Sequence, residues 1–202
     1  MTLPRLLTIA DAATAGDRLP AIVAEAVRSG ARAVVLRARD LPRDTRDRYA
    51  AALCRILEPV GGRLILAGPQ DGGELHGPGD AVHLATRQPF PTPRPALVGR
   101  SCHTADEVAR AAAEGCDYVT VSPVYPTLSK PGYGPPLGPA GLAGLAALAG
   151  RDRPGPLVYA LGGVTPAAVP ECLAAGAYGV AVMGPVLRTP RIVLDYLEGL
   201  AG

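Results

Sequence analysis

The 202-residue sequence has no excess of charge of one sign: 20 Lys and Arg face 18 Asp and Glu, a formal net charge of +2, with both signs spread along the chain. It therefore offers no electrostatic footprint for nucleic acid or an anionic membrane, and neither is expected as a partner. The four cysteines, Cys54, Cys102, Cys116 and Cys172, form no C-x-x-C pair. That removes the usual signature of a structural zinc site or a redox motif and leaves free thiols in a reducing, cytoplasmic compartment as the expectation. No apolar run approaches the ~18 residues of a membrane helix. The apolar opening meets Asp11 almost at once and reads as a first strand, not a signal peptide. No Ser/Gly-rich or charged linker separates the apolar runs, so residues 1–202 are read as one domain.

Glycine and proline, in contrast, are abundant. With 25 Gly and 22 Pro the chain approaches the roughly 25–30% at which such compositions become disordered. However, 48% of the residues are hydrophobic, and they fall in compact runs that can bury a core. Eight runs read as strands: Arg5–Ala10, Ala33–Arg39, Arg63–Ala67, Ala81–Leu84, Ala96–Ser101, Asp117–Ser122, Leu157–Leu161 and Gly179–Met183. Helical spacing lies between most of them, over Asp17–Ser29, Arg43–Leu57, Thr104–Glu114, Pro139–Ala149, Pro166–Ala174 and Pro190–Leu200. Thr104 and Glu107 form a Thr-x-x-Glu capping box, and Thr165 and Thr189 are N-cap candidates before Pro166 and Pro190. Strands alternating with helices imply parallel pairing through helical crossovers. Eight units at about 25 residues each predict a compact (β/α)8 TIM barrel, shorter than the roughly 250 residues typical of that fold. Loop chemistry over residues 68–95 predicts that the third and fourth helices are short or missing. A doubly wound open sheet is the alternative.

A barrel of this kind carries its chemistry at the C-terminal ends of its strands. Strand two ends with Arg37 and Arg39 on one side, because side chains alternate along a strand; they suit a bound anion, and the alternative is pairing with Asp40 or Asp44. Strand five ends with Ser101 and His103 in the same parity, and an unperturbed histidine suits proton transfer near neutrality. The Pro/Gly-rich connection after strand six holds Thr127, Ser129 and Lys130, a set able to hold a phosphate, while Tyr125 and Tyr133 can pack against the rim. Strands seven and eight end at Gly162-Gly163 and Met183-Gly184, where backbone N–H groups become accessible to an anion. Strands three and four present no carboxylate. Asp71, Glu74 and Asp80 fall in loop positions, and magnesium would need about one or two such groups. No metal and no cofactor are expected, and the pocket should be cationic and phosphate-binding with one titratable histidine.

Read together, VVLRARD, GDAVHL, VGRSCHTADEVARAAAEGCDYVTVSPVYPTLSKPG and ALGGVTPAAVPECLAAGAYGVAVMGPV resemble the family of thiamine phosphate synthases and the related thiazole tautomerases, over nearly the whole chain. The resemblance implies a (β/α)8 barrel that binds a phosphorylated thiazole. By position, Thr127, Ser129 and Gly163 match the thiazole-phosphate contacts and Met183 and Gly184 the strand-eight backbone site. Ser101 and Lys130 match residues that hold the pyrimidine diphosphate in the synthases. A homo-oligomer, in particular a dimer, is the expected assembly.

The two branches differ over the diphosphate and its metal. Where synthases resemble Q-x-R-x-K this chain has Val35, Arg37 and Arg39; where they carry Asn-Asp after strand three it has Ala67 and Gly68; and their second metal-binding Asp aligns with Gln88. These departures resemble the tautomerase branch, in which the residue matching His103 is the acid/base. The expected function is therefore a thiazole tautomerase that aromatises a thiazole carboxylate phosphate, with His103 moving the proton, Ser101 orienting it or a water, and Arg37 and Arg39 holding the carboxylate. A thiamine phosphate synthase is the second enzyme reading. A non-catalytic thiazole or thiamine phosphate-binding protein is the third, since Ala38 replaces a Glu found in both branches.

Overall fold

In the computed structural model the described residues are 3–68, 80–127, 135–150 and 155–202. Eight parallel strands close into a barrel in sequence order, the first pairing with the eighth, so the doubly wound alternative falls away. The strands are β1 Leu6–Asp11, β2 Ala33–Arg37, β3 Arg63–Ala67, β4 Ala81–Leu84, β5 Leu97–Cys102, β6 Tyr118–Val121, β7 Leu157–Leu161 and β8 Gly179–Val182. The helices are α1 Ala12–Ala15, α2 Leu19–Arg28, α3 Arg43–Leu57, α4 Ala105–Ala113, α5 Gly138–Ala149, α6 Val169–Ala174, α7 Gly184–Arg188 and α8 Val193–Ala201. None of these helices is long and apolar enough to cross a membrane.

Because each strand is covered on both faces, its sequence is nearly continuously apolar, and the alternation of side chains sorts the residues into two layers. The inner layer includes Leu7, Val35, Ile65, Ala81, Leu97, Tyr118, Tyr159 and Ala181. The outer layer meets the helices, which present buried residues at i, i+3 and i+7: Ala50, Leu53 and Leu57 on α3, Leu142, Leu145 and Ala149 on α5, and Val193, Tyr196 and Leu200 on α8. Such a stripe is what an amphipathic helix buries. Tyrosine fills the barrel floor, with edge-to-face contacts from Tyr118 to Tyr159 (5.7 Å) and from Tyr159 to Tyr178 (5.5 Å). The hydroxyls of Tyr159 and Tyr178 donate to the carbonyls of Pro4 and Leu3, so these polar tips do not go unpaired in the core.

Several local expectations need correction. Short 3-10 turns, Gly16–Arg18, Pro166–Ala168 and Pro190–Ile192, open the segments read as continuous helices, and α1 and α7 were not foreseen. Thr165 and Thr189 make no side-chain cap, although a proline does occupy the first turn after each. At α4, Thr104 accepts from the Glu107 N–H at 3.3 Å, but the Glu107 carboxylate reaches back to the N–H of His103 at 2.6 Å, one residue earlier than a capping box requires. The β4–β5 connection lacks a helix, as expected. Instead the fully buried Arg100 of β5 gathers it, donating to the carbonyls of Ala85, Thr86 and Gln88 and pairing with Glu114 at 2.5 Å. Between β3 and β4, residues 69–79, including Asp71 and Glu74, lie outside the described residues. The four cysteines are free, and burial pushes the Cys102 thiol up to about 12, which keeps it an unreactive apolar filler.

Candidate active site

A cavity of about 410 Å³ opens at the C-terminal ends of the strands, the size of a small-molecule site and the place where this architecture keeps its chemistry. Its floor is apolar, with Ile9, Val35, Ala67, Leu161 and Ala181. Arg37, Arg39, His83, Ser101, Thr127, Gly162, Gly163, Met183 and Gly184 share its wall. Ser129 and Lys130 lie outside the described residues.

On the β2–β5 side the wall is made of side chains. Arg37 ends β2 in register with Asp11 at the end of β1, and its Nη1 donates to Asp11 Oδ2 at 2.7 Å. The alternative to anion binding was pairing with Asp40 or Asp44; the ion pair that Arg37 forms is with Asp11. Asp11 also accepts from the Thr14 N–H through its other oxygen, at 2.8 Å, so one buried carboxylate caps α1 and aims the arginine. Arg39 follows the strand, and its buried Nε has no hydrogen-bond partner among the described residues. Burial, then the neighbouring Arg37 charge, pushes its pKa below the ordinary value, and Asp40 opposes the shift. An anion entering the cavity would relieve both penalties.

His83 was not foreseen as a site residue, although the alternation of Ala81 and His83 on a four-residue strand turns it inward. Its Nε2 lies 2.9 Å from Ser101 Oγ and its Nδ1 3.0 Å from the hydroxyl of Tyr118. Desolvation, then the charges of Arg39 and Arg100, lowers its pKa to about 3, so the ring is neutral at physiological pH. The Tyr118 hydroxyl is pushed well above its ordinary value by burial and stays protonated. His103 occupies the next turn. Its Nδ1 lies 2.6 Å from the Ser122 carbonyl oxygen, which can only accept, so Nδ1 carries a proton. His103 itself does not line the cavity; Ser122 does.

On the β6–β8 side glycine backbone makes much of the wall. Gly162 and Gly163 have φ of +90° and +67°, a region L-side chains avoid. A Cβ on Gly163 would fall 2.4 Å from the Pro126 carbonyl oxygen, and one on Gly162 2.9 Å from Pro123 Cα. These glycines therefore also let the segment after β6 pack against β7, which it does through Val124 N–H to Leu161 O and Tyr125 N–H to Gly162 O, both 2.9 Å. Tyr125 ties the same segment to α6 through Glu171 at 2.5 Å. α7 begins at Gly184, and the short helix after strand eight is where barrels of this kind often hold a phosphate. Arg188, at the end of α7, also lines the cavity. Its sequence context, a basic residue among Pro and Thr, carried no signal for this role.

The coupling branch of the family would require magnesium ligands after β3 and β4. A Cβ on Gly68 would sit 2.2 Å from Gln88 Nε2, and Gln88 Oε1 accepts from the Ala85 N–H at 3.1 Å. A neutral amide thus packs on the end of β3, with Arg39 acting on His83 of the neighbouring β4. Asp80 lies at the opposite end of β4, bound to the Ala96 N–H at 2.7 Å. The described residues do not fit a magnesium ion, and no three His, Cys, Asp or Glu among them come together as a ligand set.

Fold and cavity together define a (β/α)8 barrel whose mouth carries Arg37 and Arg39 on one side and glycine turns with Arg188 on the other. A family model described as Thiamine monophosphate synthase matches residues 6–186, and the chain belongs to that family. A Geobacter sulfurreducens protein, provisionally named a thiamine-phosphate synthase, is 39% identical over 192 residues, covering 92% of this chain and 87% of that one. The thiamine-phosphate synthase of Salinispora arenicola is 36% identical, covering 98% of each chain. Among solved structures, a thiamine phosphate pyrophosphorylase from Pyrococcus furiosus superposes with a TM-score of 0.77 over 98% of this chain and 95% of that one; at 19% identity this likeness speaks to the fold alone.

Proposed function

We propose that this protein is an isomerase of thiamine biosynthesis, a thiazole tautomerase that aromatises a thiazole carboxylate phosphate by moving one proton. The observation that carries this reading is the Gly68–Gln88 contact beside Arg39: among the described residues, the ends of β3 and β4 meet a neutral amide and a guanidinium where the resemblance places the carboxylates of a coupling enzyme. Arg39, with Arg37 oriented by Asp11, would hold the substrate carboxylate. Thr127 and the backbone of Gly162, Gly163, Met183 and Gly184 would hold the phosphate, with Ser129 and Lys130 as further donors. His103, its Nδ1 held protonated by the carbonyl of Ser122 in the cavity wall, would take the substrate proton at Nε2 and return it, and the mouth supplies positive charge to the anionic form of the substrate.

The names of the relatives favour a second reading, a thiamine-phosphate synthase. One assay separates them: purified protein is given either the unaromatised thiazole carboxylate phosphate, or pyrimidine diphosphate with thiazole phosphate and Mg²⁺. Tautomerisation with no coupling is the expected result. Magnesium-dependent coupling would establish the synthase instead, and ligand binding without either reaction would leave a binding protein. His103→Ala should abolish tautomerisation while the fold is retained; undiminished turnover would remove His103 from the mechanism.

A further inference from the structure

The chain of hydrogen bonds from Tyr118 through His83 to Ser101 has a fixed direction. Tyr118 is fully buried, and among the described residues its hydroxyl has one hydrogen-bond partner, Nδ1 of His83. If Nδ1 carried a proton, the phenol oxygen would have to accept it, and the phenol hydrogen would be left buried without an acceptor, which is costly. The phenol therefore donates and Nδ1 accepts. A second ring proton on His83 is opposed by burial and by Arg39 and Arg100, the charged groups that act on it. His83 is thus the neutral Nε2–H tautomer, and Nε2–H donates to Ser101 Oγ. The serine oxygen, having accepted this bond, keeps its own hydrogen for the cavity it lines.

The arrangement is also built into the strand beneath it. At Gly99 of β5, a Cβ would fall 2.0 Å from Cζ of Tyr118. The tyrosine ring therefore crosses its neighbouring strand only because that strand carries a glycine there, and the crossing brings the hydroxyl to His83. A strand glycine often marks such a close approach.

We propose that His83, its tautomer set by Tyr118, is a positioning residue that makes Ser101 a hydrogen-bond donor to an electron-rich oxygen or nitrogen of the bound ligand. The tautomer and the donor direction stand on geometry alone. Their part in turnover rests on the proton-transfer reading: as His103 Nε2 takes the substrate proton, negative charge grows on the conjugated substrate, and the Ser101 hydroxyl stabilises it.

The test begins with ¹⁵N NMR of histidine-labelled, ligand-free protein, which distinguishes protonated from unprotonated ring nitrogens. The chain has three histidines, and the His83 signals are assigned with His83→Gln. The expected spectrum shows a protonated Nε2 and a bare Nδ1, unchanged from about pH 8 to about pH 5. A protonated Nδ1, or titration of the ring near the ordinary value of about 6.5, would overturn the proposal. Should His83→Gln fail to fold, Tyr118→Phe serves for assignment and is a test in itself: loss of the single tautomer is expected, and an unchanged Nε2–H spectrum would remove Tyr118 from the role. In turnover, Ser101→Ala should lower kcat on the order of 10²-fold and Tyr118→Phe should lower it as well, both with KM little changed. A rise in KM at constant kcat would assign Ser101 to ground-state binding and overturn the positioning role. If the wild-type protein has no tautomerase activity, the proton-transfer reading fails, while the NMR result stands or falls separately.

Discussion

The two sides of the cavity mouth are made of different material. From β2 to β5 the wall consists of side chains whose positions depend on one another: Arg37 on Asp11, Ser101 on His83, His83 on Tyr118. From β6 to β8 glycine backbone predominates, with Gly162 and Gly163 at positive φ and Gly184 opening α7, joined by the side chains of Thr127 and Arg188. A backbone wall recognises a common group such as phosphate and tolerates little change, because a side chain added there meets main-chain atoms. A side-chain wall can be retuned by single substitutions, and Gly68, Gln88 and Arg39, on which the tautomerase proposal rests, lie on that side. Under the proposed function, phosphate binding falls to one side of the opening and carboxylate binding with reaction type to the other, so that each can be perturbed without the other.

The largest effect is expected on the backbone side. Gly163→Ala places a Cβ against the Pro126 carbonyl oxygen and the carbonyl carbon of Tyr125 at 2.4 and 2.8 Å, at a φ of +67°. Strain and overpacking together should lower the unfolding free energy by about 2–4 kcal/mol, read from urea denaturation. Thiazole phosphate affinity should fall by roughly 30-fold or more, since about 2 kcal/mol corresponds to that factor. Binding within a factor of about two of wild type would show that the glycine wall is not the phosphate site.

On the side-chain wall, pH exposes the cost of a buried neutral histidine. The folded His83 pKa of about 3 lies below its unfolded value of about 6.5, so the unfolded chain binds the extra proton. Stability from this source is complete above about pH 6.5 and is lost as pH falls toward 3. Between pH 7 and pH 5 the contribution amounts to about 2 kcal/mol of lost unfolding free energy. His83→Gln should flatten the stability profile over that interval relative to wild type. Profiles with equal slopes would mean that His83 does not stay neutral in the fold.

How much of this was legible beforehand follows the range of the interactions involved. Strands β3, β4 and β7 and helix α3 have the ends expected of them, because apolar runs and helical spacing are local signals. Thr104 capping α4 was legible for the same reason. Arg37, Arg39 and Ser101 were placed on the mouth by counting alternation to the ends of strands, and Thr127 and Gly163 by the connection and the glycine turn that follow strands six and seven; all five line the cavity, whereas His103, placed with Ser101 by the same alternation, does not. His83, Asp11 and Arg188 were missed. Each acquires its role through a partner far along the chain: His83 through Ser101 and Tyr118, Asp11 through Arg37, and Arg188 through closure of the barrel. Gly99 and His83 were visible as a glycine and an inward histidine on adjacent strands, but the β4–β5 register that sets them side by side is a property of the closed sheet.

A smaller effect separates charge from shape on the cationic side. Arg39→Met keeps most of the stem and removes the guanidinium. Affinity for the thiazole carboxylate phosphate should fall about 10-fold or more, the range of a charge-assisted hydrogen bond, while a thiazole phosphate lacking the carboxylate should bind as before. Equal losses for both ligands, measured by calorimetry, would move Arg39 to the phosphate or to a purely structural role and erase the division between the two walls.

The smallest effect tests whether one wall is organised by its own side chains. Asp11→Asn keeps the size and an oxygen for the Thr14 N–H, so the cap on α1 survives, but it removes the negative charge that holds Arg37. Because Arg37 is partly exposed, with 39% of its side chain accessible, water compensates most of the lost attraction and stability should change by less than about 1 kcal/mol. Orientation is what is lost: affinity for the carboxylated ligand should drop about 3-fold, under 1 kcal/mol by the affinity scale, and the Arg39→Met effect should grow in the double variant, since the two arginines would share the carboxylate. Strict additivity of Asp11→Asn and Arg39→Met would mean that Arg37 and Arg39 serve separate groups. The carboxylate would then belong to Arg39 alone, and the Asp11–Arg37 pair would be a brace between β1 and β2.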